Sequence, residues 1–298
     1  SLTYAFYGGF YAVVRTDKLQ FVLMFIGFVI LLLSCYFEYG GISFLISNTP
    51  DFAFSIPGNL NWTFIFVWGL IALITFIDPG FYQRTFAGSS LKTVKKGIII
   101  SVLFWVIFDF MTVFTGLYAL AVLPSINSSP YLDLAALILP PFAYGIFMVS
   151  LFAIVMSTID SFSFISAFTI GKDLTALMNL KLDDEIIIRY TRLGLVITAL
   201  LSIILAMYFE YAVDIWYLFG SFVVPALLIP LIAGLYRIKV KYATVVMIVP
   251  LSISIFWYFY GLAHSSGDGY PAYILGLDPM YPGVVVSLVI FIGVKGQK

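Results

Sequence analysis

Between Ala153 and Ser166 the chain reads AIVMSTIDSFSFIS, and this stretch holds the residues best suited to chemistry. Ser157 and Thr158 are adjacent hydroxyls, Asp160 is a carboxylate and Ser161 a further hydroxyl, all inside an apolar run from Leu134 to about Ile170. On a helix, Ser157, Asp160 and Ser161 stand at i, i+3 and i+4 and project from one face. A carboxylate at the centre of a bilayer costs about 2.5–3.5 kcal/mol on insertion scales, so its presence there points to a function and a partner. Hydroxyl, carboxylate and backbone carbonyl oxygens are hard ligands that suit Na⁺ or a proton rather than a soft metal. A single membrane Ser or Thr usually bonds only the carbonyl one turn back. Three hydroxyls and a carboxylate between positions 157 and 161 favour a cation or coupling site.

Asp109 is a second acid in an apolar segment, with Trp105 one turn before it and Thr112 one turn after on the same helical face. Substrate binding, a proton relay or a structural interhelical hydrogen bond would each account for it.

The elements that must carry these residues are membrane helices. Of 298 residues 62% are hydrophobic and only 10% charged, far below the quarter typical of soluble domains. Hydropathy gives eight spans: Leu19–Phe37, Asn61–Ile77, Gly97–Leu123, Pro140–Ile170, Arg192–Phe209, Ile215–Tyr236, Tyr242–Leu262 and Tyr281–Val294. The second and the last are short. All 15 Lys and Arg fall on alternate connections, including Arg15 and Lys18, Arg84 to Lys96, Lys172 to Arg192, Arg237 to Lys241, and Lys295 with Lys298. The positive-inside rule makes those connections cytoplasmic and puts both ends of the chain in the cytoplasm of an inner or plasma membrane. The basic residues from Arg84 to Lys96 read as topology markers and lipid-headgroup contacts.

Two spans carry break signals. Ile77-Asp78-Pro79-Gly80 either interrupts the second span or ends it with Asp78 as a cap. Pro140-Pro141 reads as a helix start. The lone Cys35 excludes an internal disulfide and reads as a small buried hydrophobe, and the lone His264 excludes a multi-histidine metal centre. The segment Tyr270–Met280 reads as a re-entrant or surface loop. No HExxH, GxSxG, P-loop or cysteine pair is present, so neither an enzyme nor a bound cofactor is expected. No nucleic-acid partner is expected either.

Three stretches resemble the sodium:solute symporter family. Tyr4–Gln20, YAFYGGFYAVVRTDKLQ, is similar to the family's YT-x-x-GG-x-x-AVV-x-TD-x-x-Q segment; Asp78–Gly88, DPGFYQRTFAG, to its QR-containing segment; and AIVMSTIDS followed by FTIGKDL to its sodium-binding helix. The resemblance implies an all-α membrane protein of LeuT-like architecture, two inverted five-helix repeats, with about eight transmembrane helices in this chain. It treats 1–298 as a single transmembrane domain: 1–37 would end the first repeat, 61–236 form the second and 242–294 add two helices. The N-terminal part, with the first four core helices, would be missing.

Residue by residue, the resemblance places a sodium site at the Ile154 carbonyl and the Ser157 and Thr158 hydroxyls. It places a second sodium at Asp17, Asp160 and Ser161. Substrate would meet Trp68, Ile71, Ile74, Trp105 and Asp109; the apolar Ile71 and Ile74 stand where sugar carriers have polar residues. The expected function is sodium-coupled symport of a small organic solute (amino acid, carboxylate or sugar), with Na⁺ as coupling ion and the bilayer as surroundings. Rival readings are a symporter-like sensor domain of a signalling protein and a purely structural bundle in which Asp109 and Asp160 tie helices together.

Overall fold

A computed structural model describes residues 2–125, 129–178, 183–209, 211–265 and 271–294. Lys181, Tyr270, Lys295 and Lys298, which enter the charge and loop readings, lie outside the described residues. In chain order the helices are α1 (Leu2–Tyr39), α2 (Ile42–Asn48), α3 (Trp62–Ile71), α4 (Pro79–Phe86), α5 (Leu91–Val122), α6 (Pro130–Ile138), α7 (Pro141–Phe168), α8 (Thr175–Leu177), α9 (Asp184–Tyr208), α10 (Ala212–Leu235), α11 (Ala243–Ala263) and α12 (Met280–Val294). A 3₁₀ segment, Ala72–Phe76, follows α3, and a π-helical segment, Thr169–Leu174, follows α7.

Among the described residues, seven apolar helical stretches are long enough to cross a bilayer, from Tyr4–Tyr39 to Ala243–Ala263. The eighth expected span is the short one: α12 has 15 described residues, about 22 Å of helix against a hydrocarbon core of about 30 Å. The first stretch begins well before Leu19. Arg15 and Lys18 suggest a connection, yet helix runs through them and is interrupted only at Gly9 (φ 57°, ψ −153°), a conformation open to glycine and not to a residue with a Cβ. The apolar run from Leu134 is also not continuous. Leu139 and Pro140 are extended and separate α6 from α7, because proline disfavours helix in the residue before it.

The helices form two compact units. The first holds Ser1–Gly58 and Tyr82–Ile204. Its long contact is α1 against α7, made possible at Gly27: a Cβ there would lie 2.0 Å from Ser150 Oγ and 2.3 Å from Ser150 Cβ. Phe28 and Phe147 meet edge to face at the same crossing (5.4 Å between ring centres), and Cys35 is buried as a small hydrophobe in the same core. The π segment brings Gly171 against Thr191 and, one turn earlier, Ala167 against Gly194, where the two backbones almost touch.

The second unit holds Asn59–Phe81 and Leu205–Lys298. Here α10, α11 and α12 pack together, with Val67 and Ile71 of α3 in the core beside Val224 and Met280. Gly220 leaves room for Ile71, and Gly283 for Ser254 and Pro225.

Candidate functional site

The hydroxyl-rich stretch around Ser157 forms one face of α7. The hydroxyls of Ser157 and Thr158 both donate to the Ile154 carbonyl, at 2.9 and 3.1 Å. This is the back-bonding expected of a membrane Ser or Thr, and it gathers three oxygens within a single turn. Each hydroxyl that donates this way keeps its acceptor lone pairs, so the cluster still presents oxygen to a cation. Ser157 is half-buried, Thr158 exposed and Asp160 fully buried.

One turn further on, α7 meets α1 and α4. The Arg84 Nη2 of α4 donates to Ser161 Oγ at 2.7 Å and to Asp17 Oδ2 at 3.3 Å. Helical spacing sets Ser161 one turn beyond Ser157; the fold adds Asp17, 144 residues earlier, with Arg84 between it and Ser161. Arg84 is therefore not simply a topology marker. Its side chain is 39% exposed and that of Asp17 25%, so the ion pair itself contributes about 0–1 kcal/mol. The approach of the guanidinium is set by α4. Asp78 Oδ1 accepts from the Gly80 amide at 2.6 Å, and Pro79 opens the helix. Of the two readings of Asp78-Pro79-Gly80, both apply: the span from Trp62 is interrupted there, and Asp78 caps α4.

The residues suggested for substrate fall into two groups. On α5, Asp109 and Trp105 are exposed one turn apart, and the Thr112 hydroxyl is spent on the Asp109 backbone carbonyl (2.9 Å). In the second unit, Trp68, Ile71 and Ile74 share one apolar cluster; Trp68 lies 5.8 Å from the Tyr217 ring, and Ile71 is buried against Gly220.

A polar site that sequence reasoning missed sits at Pro271–Met280. Tyr217 of α10 donates its hydroxyl to the Asp278 carboxylate, Trp257 Nε1 donates to the Leu277 carbonyl at 2.8 Å, and the Ala272 amide bonds the Gly261 carbonyl at 2.9 Å. Burial raises the Asp278 carboxyl above its ordinary range, and the Tyr217 hydrogen bond pulls it partly back. Burial likewise pushes the Tyr273 phenol up. The segment is thus pinned to α10 and to the end of α11. Proline, glycine and aspartate mark the turn, but nothing local marks its partner 61 residues away.

Sequence comparison places these features in a class. The profile of the sodium:solute symporter family matches residues 1–249. The chain belongs to the sodium:solute symporter family, a family of membrane transporters. It is 30% identical over 97% of its length to the sodium/pantothenate symporter of Escherichia coli K12, covering 61% of that protein. It is 24% identical over 96% of its length to the osmoregulated proline transporter of Bacillus subtilis 168, again covering 61%. The sodium/pantothenate symporter of Haemophilus influenzae is 29% identical over 57% of the chain and is covered over 37% of its own length. The chain spans about three fifths of the length of the first of these relatives.

Proposed function

We propose that this chain is part of a sodium-coupled secondary transporter that carries a small organic solute (an amino acid, a carboxylate or a sugar) inward. The observation that carries the reading is the oxygen cluster of Ile154, Ser157 and Thr158, built on one turn of an otherwise apolar helix. Family membership and relatives named for pantothenate and proline transport support it. In this reading Na⁺ is cargo, held by the Ile154 carbonyl and the two hydroxyls, with Asp160 buried one turn away. The architecture proposed is LeuT-like, with 61–236 as the second inverted repeat and the helix break at Asp78-Pro79-Gly80 as the bend that rocks during alternating access. The distribution of Lys and Arg supports a plasma-membrane protein with both ends of this chain in the cytoplasm. An ion falling through 100 mV releases about 2.3 kcal/mol, enough to concentrate a neutral solute roughly fifty-fold.

The test is uptake into proteoliposomes by the full-length protein, with pantothenate and proline as the first solutes. An inward Na⁺ gradient should drive accumulation that collapses when Na⁺ is equalised across the membrane. Accumulation driven equally by choline in place of Na⁺, with or without a proton gradient, would refute sodium coupling.

A further inference from the structure

Two cavities adjoin where the start of α1 meets the first turns of α9. The first, about 570 Å³, is lined by Phe6, Glu185, Ile188, Arg189 and Arg192. The second, about 320 Å³, shares Phe6, Ile188 and Arg192 with it and reaches the buried side chains of Phe164 and Leu195. Together they are charged at one end and apolar at the other. The charged end is written in α9, where Glu185, Ile188, Arg189 and Arg192 stand at i, i+3, i+4 and i+7 and share one face. The apolar end depends on Gly8 and Gly9: the helix breaks at Gly9 (φ 57°), and with no side chain at either position the α1 backbone itself forms a wall of the cavity. We propose that the paired cavities hold one anionic glycerophospholipid of the cytoplasmic leaflet, its phosphodiester on Arg189 and Arg192 and the start of an acyl chain in the apolar end. The inference rests on the cytoplasmic placement of the start of α9 and is independent of sodium coupling.

Three observations select this occupant. Arg192 is held in place, because its Nε donates to the Phe6 carbonyl at 3.3 Å and its guanidinium carbon lies 5.0 Å from the centre of the Phe6 ring. Its two terminal amino groups remain donors, in the planar fork that suits phosphate oxygens. Two arginines against one glutamate leave the cavity with a net positive charge. That complements a lipid carrying one negative charge, such as phosphatidylglycerol, whose headgroup hydroxyls can donate to the Glu185 carboxylate. A free phosphate would satisfy the arginines but leave the apolar end against water. Finally, the basic residues from Lys172 to Arg192 put this end of α9 at the cytoplasmic surface, where anionic lipids gather and basic pockets between membrane helices take their headgroups.

The test is native mass spectrometry of the purified full-length protein, titrated with phosphatidylglycerol or with phosphatidylcholine of the same acyl chains. The wild type should retain one phosphatidylglycerol with an affinity about tenfold above that for phosphatidylcholine. Arg189→Gln combined with Arg192→Gln should cut phosphatidylglycerol binding about tenfold. Ile188→Trp, which fills the junction of the two cavities from an exposed position, should cut it as far without removing a charge. Lys95→Gln combined with Lys96→Gln, which removes the same charge from the start of α5, should leave it within about twofold. Equal retention of the two lipids, an equal loss in the Lys95/Lys96 variant, or full binding in Ile188→Trp would each overturn the inference. Displacement of the lipid by inorganic phosphate at the same concentration would overturn it in favour of a free-phosphate site. If the double arginine variant does not fold, the Ile188→Trp arm and the comparison of lipids decide. The placement is read separately: labelling of Asp184→Cys by a membrane-impermeant maleimide from outside intact cells, above that of the unsubstituted protein, would overturn the cytoplasmic leaflet and leave the sodium-coupled reading to its own uptake test.

Discussion

Replacing Gly27 by alanine tests whether the α1–α7 contact has the closeness the structure shows. An added Cβ would lie 2.0 Å from Ser150 Oγ and 2.3 Å from Ser150 Cβ, while the next neighbour, Phe147 Cα, is at an ordinary 3.5 Å. Favourable carbon contacts lie near 3.5–4.0 Å, so one helix has to move by roughly 1.5 Å. Ser150 cannot easily yield, since it is fully buried and its hydroxyl is bonded to the Phe147 carbonyl at 2.7 Å. Overpacking of this kind costs about 1–3 kcal/mol, and a buried crossing of two long helices belongs in the upper half. The apparent melting temperature in detergent should fall by roughly 5–10 °C. The same strain should be relieved by Ser150→Gly, which removes both close atoms at a helix cost of about 0.5–1 kcal/mol. Ser150→Ala, which leaves the Cβ in place, should rescue little. Fluorescence-monitored melting of the three single variants and the two double variants, arranged as two double-mutant cycles, measures this. A melting temperature unchanged in Gly27→Ala, or rescue as complete by alanine as by glycine at 150, would refute the packing argument.

Two further outcomes rest on single contacts. Asp78→Ala removes the cap on α4 and should lower stability by about 0.5–2 kcal/mol; because α4 holds Arg84, it should also loosen the guanidinium, seen as faster reaction of Arg84 with phenylglyoxal, and an unchanged rate would count against the cap as the positioning element. Asp278 has its folded pKa raised by burial, so the folded state binds its proton more tightly than the unfolded chain. Its contribution is most favourable below the ordinary carboxylate pKa and is lost as pH rises through the raised value. Asp278→Asn should therefore flatten the fall in melting temperature as pH rises above the ordinary carboxylate range, about pH 4. A wild-type profile that rises over that window relative to Asp278→Asn would contradict it.

Prolines, glycines and buried oxygens are local signals, and much of the fold and site is legible through them. Pro140-Pro141 marks the start of α7, Asp78-Pro79-Gly80 marks the break before α4, and the Ser157–Ser161 face is written in helical spacing. The illegible part depends on partners distant in sequence. Arg84 reads as a topology charge until α4 is brought against α1 and α7, when its guanidinium meets Asp17, 67 residues earlier, and Ser161. Arg15 and Lys18 look like a boundary, so hydropathy starts the first span at Leu19. A helix continues through charged residues, whereas Gly9, with its positive φ, is what breaks it. Tyr217 and Asp278 meet only because α10 and α12 pack side by side, and neither residue signals the other in sequence.

The central claim is that Na⁺ is held by the oxygens on the Ile154–Thr158 turn. It is tested most directly by the Na⁺ concentration that half-saturates solute uptake by the full-length protein, compared between wild type and Ser157→Ala with Thr158→Ala. Removing two of the three clustered oxygens should raise that concentration at least tenfold, about 1.4 kcal/mol of lost binding, with the protein still folded and inserted. An unchanged half-saturating Na⁺ in the double variant would show that the ion is bound elsewhere.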